Sequence, residues 1–335
     1  MVKDVTMINL GRLLQDFFYK RLIQQRRVSP LTIASYRDTF RLLLKFAEQK
    51  LCKSITKLDL SDLNTTLVLD FLDYLESKRQ NCVRSRNIRL AAIRSFLHYA
   101  GLQEPGSLSG IQKVFAIPMK RFERPMITFL YLEEIQKIIE TPNSNTWSGR
   151  RDRTLFATLY NTGARVSEIV NIKCLDIEDK QCTALHLHGK GRKHRVVPLW
   201  KRTSKSIRQW LPQIDQSSHS PLFPNRFGKI MTRSGVEKQL RSTVSKAVKQ
   251  CPSLAGKKVS PHTIRHTTAM HLLQSGVDLS VIALWLGHES ITTTHQYMQA
   301  DIEMKKRALN KMKAPKIRGI KFKPSGDVLS FLDSL

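Results

Sequence analysis

The chain reads as mainly α-helical, with one small antiparallel sheet and two domains. Three observations predict this. Apolar residues recur at helical spacing through residues 5–102 and again from 127 to about 311, the pattern of helices with one buried face. One stretch, residues 183–199, alternates like a pair of strands about a glycine turn. Between the two helical regions, residues 103–126 lose their periodicity and collect Pro105, Gly106, Gly110, Pro118 and Pro125, the composition of a domain boundary.

Residues 5–102 of the first domain, 1–102, read as four helices. Leu10, Leu13, Leu14, Phe17 and Phe18 share a face of the first. The second opens on Ser29-Pro30-Leu31-Thr32, with Ser at the N-cap and Pro at the first helical position, where its missing N–H costs nothing. Its apolar face is Tyr36, Phe40, Leu43, Leu44 and Phe46. Leu67, Leu69, Phe71, Leu72 and Leu75 mark the third. The fourth buries Leu90, Ile93, Phe96 and Leu97 and stops at Gly101. Arg84, Arg86, Arg89 and Arg94 cluster on or just before it, and Lys120 and Arg121 carry the charge into the linker. A basic helix face is usually only solvated, but in a chain this basic it is equally a phosphate-contacting face.

The second domain, residues 127–311, begins with a helix over Leu132, Ile135 and Ile138. Another spans residues 151–160 and ends at Asn161-Thr162-Gly163; the next starts at once with Arg165-Val166-Ser167-Glu168-Ile169. Arg165 therefore sits at a helix junction, where backbone N–H groups and a guanidinium together attract an anion, and Glu168 one turn on is placed to orient that guanidinium. Taken alone, Arg165 is equally a surface capping residue. The strand pattern follows, with Lys190 at the tip of a tight turn and Arg192 and Lys193 beside it. Residues 234–248 are helical, and Lys238 and Arg241 are placed there to meet DNA. Finally, residues 257–299 bring His262 and Arg265 three apart at a helix start, then His288 after a Leu-Gly turn, then Tyr297.

Composition narrows the function. The 335 residues suffice for two full cores. Lys and Arg number 56 against 27 Asp and Glu, a net charge of +29, which calls for a polyanionic partner. Between Gln181 and Ser260 stand 17 Lys or Arg against only Asp215 and Glu237. No apolar run approaches a membrane span, and neither a cleavable signal nor a lipidation motif is present, so no membrane partner is expected. The five cysteines are scattered without a CxxC pair, which argues against a disulfide framework or a cysteine zinc site and for a reduced, cytoplasmic and nucleoid-associated bacterial protein. His262 and His266 share the i, i+4 spacing of HExxH zinc ligands, but Thr263 replaces the catalytic Glu and Arg265 would repel a cation. No metal or other cofactor is therefore expected. His266 and His271 read as structural, and His186, His188 and His194 as strand-face or DNA-proximal residues.

The set Arg165, Lys190, His262-x-x-Arg265, His288 and Tyr297 resembles the tyrosine recombinase (phage-type integrase) family in order, spacing and context. The surrounding text is similar too: Arg151-Asp152, Thr162-Gly163-Ala164-Arg165-Val166-Ser167-Glu168, Leu286-Gly287-His288 and Thr292-Thr293-Thr294. The likeness covers residues 5–311. It departs from the family at Ala164, where Leu is common, and at Thr263-Ile264, where Asp or Lys and then Leu are usual; neither is a reacting group.

The resemblance implies an all-helical, SAM-like core-binding domain followed by an α+β catalytic domain. It implies attack by Tyr297 on a DNA phosphodiester, with His262 taking the phenolic proton, Arg165 and Arg265 clamping the phosphate, His288 adding a hydrogen bond and Lys190 protonating the leaving 5′-oxygen. The implied partners are double-stranded DNA and other copies of the chain in a synaptic tetramer, with accessory DNA-bending proteins or other recombinases. His266-Thr267-Thr268-Ala269-Met270-His271 and Ile282-Ala283-Leu284-Trp285 look most like integrases of transposons and integrative elements. Xer-like resolution of chromosome or plasmid dimers is the alternative within the family, and a non-catalytic DNA-binding accessory factor the alternative outside it. In the tail, residues 312–335, Val328, Phe331, Leu332 and Leu335 form a short apolar stripe expected to dock on a neighbouring protomer.

Overall fold

The computed structural model describes residues 9–122, 127–189 and 194–288, together with Thr294 and Tyr297. The chain divides into two compact units, Met1–Arg124 and Pro125–Leu335. Among the described residues no helix is long and apolar enough to cross a membrane.

Unit 1 is helical throughout. Helix α1 (Leu10–Asp16) runs on as a π-helical stretch, Phe17–Gln25. It is followed by α2 (Pro30–Leu51), α3 (Thr65–Ser77), α4 (Val83–Gln103) and α5 (Leu108–Phe115). The start of α2 is the one its sequence specifies: Ser29 caps Thr32 N–H, and Pro30 occupies the first turn. Phe17 is the hub of the core. It is fully buried and meets the rings of Phe18, Tyr36, Phe40, Phe96 and Tyr99, so α1, α2 and α4 converge on one aromatic cluster.

Two expectations for this unit are corrected. The breaker-rich segment after residue 102 is largely structured: Pro105 and Gly106 make a 3-10 turn, and α5 then buries Ile111 and Val114 in the same core. Ile111 and Val114 are the two buried residues of α5, three positions apart, too short a stripe for periodicity to register. Secondly, Arg86 and Arg94 are not surface cations. Arg86 is 3% exposed and donates to Pro118 O and Asn87 Oδ1, with Glu76 3.8 Å away. Arg94 donates to the carbonyls of Phe115 and Ile117. Both guanidiniums thus satisfy the C-terminal carbonyls of α5 and the strand of chain beyond it. Of the other candidate DNA contacts here, Arg84 and Arg121 are exposed, Arg89 is half-buried, and Lys120 pairs with Glu76 at 2.6 Å.

Unit 2 is built around α7 (Trp147–Thr162), which packs against α6 (Leu132–Glu140), α9 (Lys201–Trp210) and α11 (Pro261–Gln274). The short α8 (Val166–Ile169), α10 (Arg233–Ala247) and α12 (Leu279–Leu286) complete the helices, and β1 (Ala184–His188) pairs antiparallel with β2 (His194–Pro198). The register runs from Ala184↔Pro198 to His188↔His194, so the connection spans residues 189–193. Lys190, Arg192 and Lys193 fall outside the described residues. Lys238 and Arg241 are exposed on α10.

The contact between α7 and α11 is unusual in being lined by threonines. Thr154, Thr158 and Thr162 each donate to the carbonyl four residues back, as does Thr267. Thr268 Oγ1 lies 2.7 Å from Tyr160 O, across the interface. A hydroxyl satisfied by its own helix is small and locally neutral, so two helices can approach closely without burying an unpaired polar group.

Arg86→Ala is expected to destabilise unit 1 by about 2 kcal/mol, whereas Arg84→Ala changes stability by less than about 0.5 kcal/mol. All four tryptophans lie in unit 2. Hydrogen exchange across residues 83–117 is therefore the measurement that separates the two variants.

Candidate active site

The site gathers around one carboxylate. Glu168 lies in the short α8, with its side chain 2% exposed. Its Oε1 accepts from Arg165 Nη1 at 2.8 Å; its Oε2 accepts from Arg165 N at 2.9 Å and from Arg195 Nη2 at 2.8 Å. Burial by itself would raise the pKa of Glu168, but the bonds and charges of Arg195 and Arg165 outweigh it and hold the group below its ordinary value.

Backbone carbonyls hold the remaining guanidinium nitrogens. Arg265, on α11 and 2% exposed, donates to Gly163 O at 2.6 Å and Leu286 O at 2.7 Å. Arg165 Nη2 reaches Gly287 O at 3.3 Å, and Arg195 Nε reaches Trp285 O at 2.8 Å. These carbonyls cluster at the C-terminal ends of α7 and α12, the negative poles of both helices. Gly163 and Gly287 cap those helices at φ 59° and 66°, in the left-handed region. A Cβ on Gly163 would also fall 2.4 Å from Leu286 Cδ2, so only glycine lets the two helix ends meet there. Burial, then Arg165, pull the pKa of Arg265 down to about 10, which leaves it charged at neutral pH.

Against this cluster lie Tyr297 and three histidines. Tyr297 is 1% exposed and packs with Met270, Leu273, Ile282 and Leu286. Its hydroxyl is 3.0 Å from Nδ1 of His266. Burial raises the pKa of the phenol, with Arg265 and Arg165 opposing. His288 Nδ1 is 2.8 Å from Thr294 Oγ1, and its ring lies parallel to that of Tyr297 at 6.3 Å between centroids. His262 is exposed and stacks on His266, 5.6 Å away and tilted by 11°. Burial, with the neighbouring arginines, lowers the pKa of His288 to about 4; burial, with His262 and Arg265, does the same for His266.

Among the described residues, the site brings Arg165, Glu168, Arg265, His262, His288 and Tyr297 into one neighbourhood. Two of its members were not anticipated. His266 was read as structural, yet it is the histidine that touches the phenol. Arg195 gave no signal: it is one cation in a basic hairpin, and only the fold aims it at Glu168. Of the other described histidines, His271 meets Tyr160 at 2.7 Å and His188 meets both Asp176 and His194. No group of three or more His, Cys, Asp or Glu among the described residues is arranged to hold a metal ion.

Comparison with known proteins decides the family. Residues 128–304 match the phage integrase family and residues 16–104 match the phage integrase N-terminal SAM-like domain. The chain belongs to the tyrosine recombinase (phage integrase) family. Members of that family cleave and rejoin DNA, and this recombinase is accordingly an enzyme. It is 44% identical over 327 residues, 98% of either chain, to "Putative integrase/recombinase y4rC" of Sinorhizobium fredii (strain NBRC 101917 / NGR234). It is 33% identical to tyrosine recombinase XerC of Pelobacter propionicus (strain DSM 2379 / NBRC 103807 / OttBd1), over 85% of this chain and 90% of that one. Its fold is similar to that of the Tn1549 transposon integrase in complex with a circular intermediate DNA, with a TM-score of 0.67, 14% identity, and coverage of 90% and 99% of the two chains.

Replacing Glu168 with Gln removes the charge that two guanidiniums share, so unit 2 should lose about 3 kcal/mol at pH 7 in urea unfolding followed by tryptophan fluorescence. The folded-state pKa is depressed, so this stabilisation is present above the ordinary value of 4.5 and fades as pH falls through the lowered one. The gap between wild type and variant should therefore close below about pH 4.5.

Proposed function

We propose that this recombinase cuts and rejoins DNA through a 3′-phosphotyrosyl intermediate and serves the integration or transposition of a mobile element. The observation that carries the chemistry is the convergence of Arg165 and Arg265 with His288 and Tyr297, although the outer two lie 132 residues apart in sequence. Both arginines act electrostatically on the phenol, and their nearness to it supports a role in binding a phosphate attacked by Tyr297.

In this reading Tyr297 attacks the phosphorus and a 5′-hydroxyl departs. Arg165 and Arg265 bind the non-bridging oxygens and offset the charge that grows on the phosphorane; fixed guanidiniums suit that task because they need not reorganise during the reaction. His288 donates a further hydrogen bond. Lys190 protonates the 5′-oxygen, and the resemblance assigns proton acceptance from the phenol to His262. The ester bond to tyrosine conserves the energy of the broken phosphodiester, so religation needs no cofactor. The surplus of 56 Lys and Arg over 27 Asp and Glu supplies the salt-sensitive backbone affinity that holds a duplex in place.

The mobile-element role is supported by the integrase/recombinase relative that matches nearly the whole chain. Xer-like resolution of DNA dimers is the second reading, favoured by the XerC relative. The synaptic assembly is proposed to be a tetramer in which residues 325–335 of one protomer dock on the next.

A duplex nicked just downstream of the cleavage site traps the covalent intermediate, because the short fragment that bears the freed 5′-hydroxyl diffuses away. Wild type should accumulate a protein–DNA adduct on it, and Tyr297→Phe should bind the same duplex and form none. Adduct formed equally by the phenylalanine variant sinks the assignment of the nucleophile. Deleting residues 325–335 should leave binding to a single site intact and abolish cooperative pairing of two sites in a gel-shift titration.

A further inference from the structure

His266 is the side chain in contact with the Tyr297 hydroxyl, at 3.0 Å, and it sits one helical turn beyond His262 on α11. The two imidazoles are parallel to within 11°, and it is His266 whose Nδ1 the phenol hydroxyl meets. A proton leaving Tyr297 therefore meets His266 first.

We propose that His266, rather than His262, is the catalytic proton acceptor for Tyr297. The inference rests on the reading of Tyr297 as the nucleophile. A neutral phenol donates its O–H, so Nδ1 of His266 accepts with its lone pair, and the ring carries its own hydrogen on Nε2. Donation in that direction leaves the lone pairs of the phenolic oxygen free for phosphorus. As the O–P bond forms from one of those pairs, the proton passes to Nδ1 and the O–H electrons remain on the tyrosine oxygen. The P–O5′ bond breaks with its electrons on the 5′-oxygen, which takes a proton from Lys190. On religation the 5′-hydroxyl attacks and returns its proton to Lys190, the tyrosine oxygen leaves with the electrons of the O–P bond, and the imidazolium returns the proton to it.

The surroundings of the pair fit this role. His262 and Arg265, both on α11, and Tyr297 face His266; His288, Arg265 and Arg165 face the phenol. Burial and these positive neighbours keep His266 unprotonated, with a pKa of about 4, so its lone pair is available throughout the neutral range. A bound phosphodiester would bring a negative charge against Arg265 and weaken the repulsion that depresses His266. The base thus gains strength when a scissile phosphate is present, and the phenol is activated on DNA rather than in the free protein.

Single-turnover cleavage of the nicked duplex by the full chain tests this. The wild-type rate should be flat from about pH 6 to pH 8.5, since the acceptor is already neutral. His266→Leu should bind the duplex as tightly and form adduct about a hundredfold more slowly at pH 7, with a rate that climbs about tenfold per pH unit as hydroxide takes over. His266→Asn places an accepting oxygen where Nδ1 stood but cannot carry the proton away, so it should hold the fold and show the same steep profile. A wild-type rate and flat profile in either variant overturns the inference while leaving Tyr297 as the nucleophile. So does a uniform slowing with a flat profile, which marks a structural role. Absence of adduct from wild type itself overturns the cleavage reading and this inference together.

Discussion

The buried carboxylate of Glu168 is the constraint on which the site depends. Three guanidiniums point into one region of unit 2, and like charges in a poorly solvated space repel strongly. Glu168 takes one hydrogen bond from Arg165 and one from Arg195, and its second oxygen also caps the backbone N–H of Arg165. The positive ends of these side chains are further spread over carbonyls at the tips of α7 and α12. Among the described residues, Glu168 is the carboxylate that bonds to this concentration of positive charge. Like charges held together in this way repel one another, and that repulsion costs the fold stability.

Helix packing sets up this arrangement. The Thr-lined contact lets α7 and α11 run close together, and Gly163 lets α7 end against α12. Arg265 projects from α11 across that junction to carbonyls on both neighbours, so one side chain ties three helices. The same residue that is proposed to bind phosphate also organises the core beneath it, and its dual role explains why it is among the most deeply buried charged groups.

Electrostatics then sorts the histidines. In the same field His266 and His288 both stay neutral near pH 7, and each keeps a specific hydroxyl partner, Tyr297 for one and Thr294 for the other. His188, His194 and His271 instead pair among themselves or with carboxylate and phenol groups outside the contacts of Tyr297 and Thr294. Counting histidines along the chain cannot separate these two groups, because the partner each ring meets is set by the fold.

Local signals were strong enough to read most helices from the sequence. Ser29-Pro30 at the start of α2, the stripe Leu67, Phe71, Leu72 and Leu75 of α3, and the alternation on either side of Gly189 each depend on near neighbours in the chain. The ordered set from Arg165 to Tyr297 was legible for a different reason: reacting groups of a family keep their order and local context. Tertiary structure alone decided the rest. It turned Arg86 and Arg94 inward onto carbonyls some twenty to thirty residues away, folded α5 out of a segment rich in breakers, aimed Arg195 at Glu168, and set His266 rather than His262 against the phenol. Each of these outcomes is fixed by partners distant in sequence, and the periodicity of a helix shows which face is buried but not which group waits on the other side.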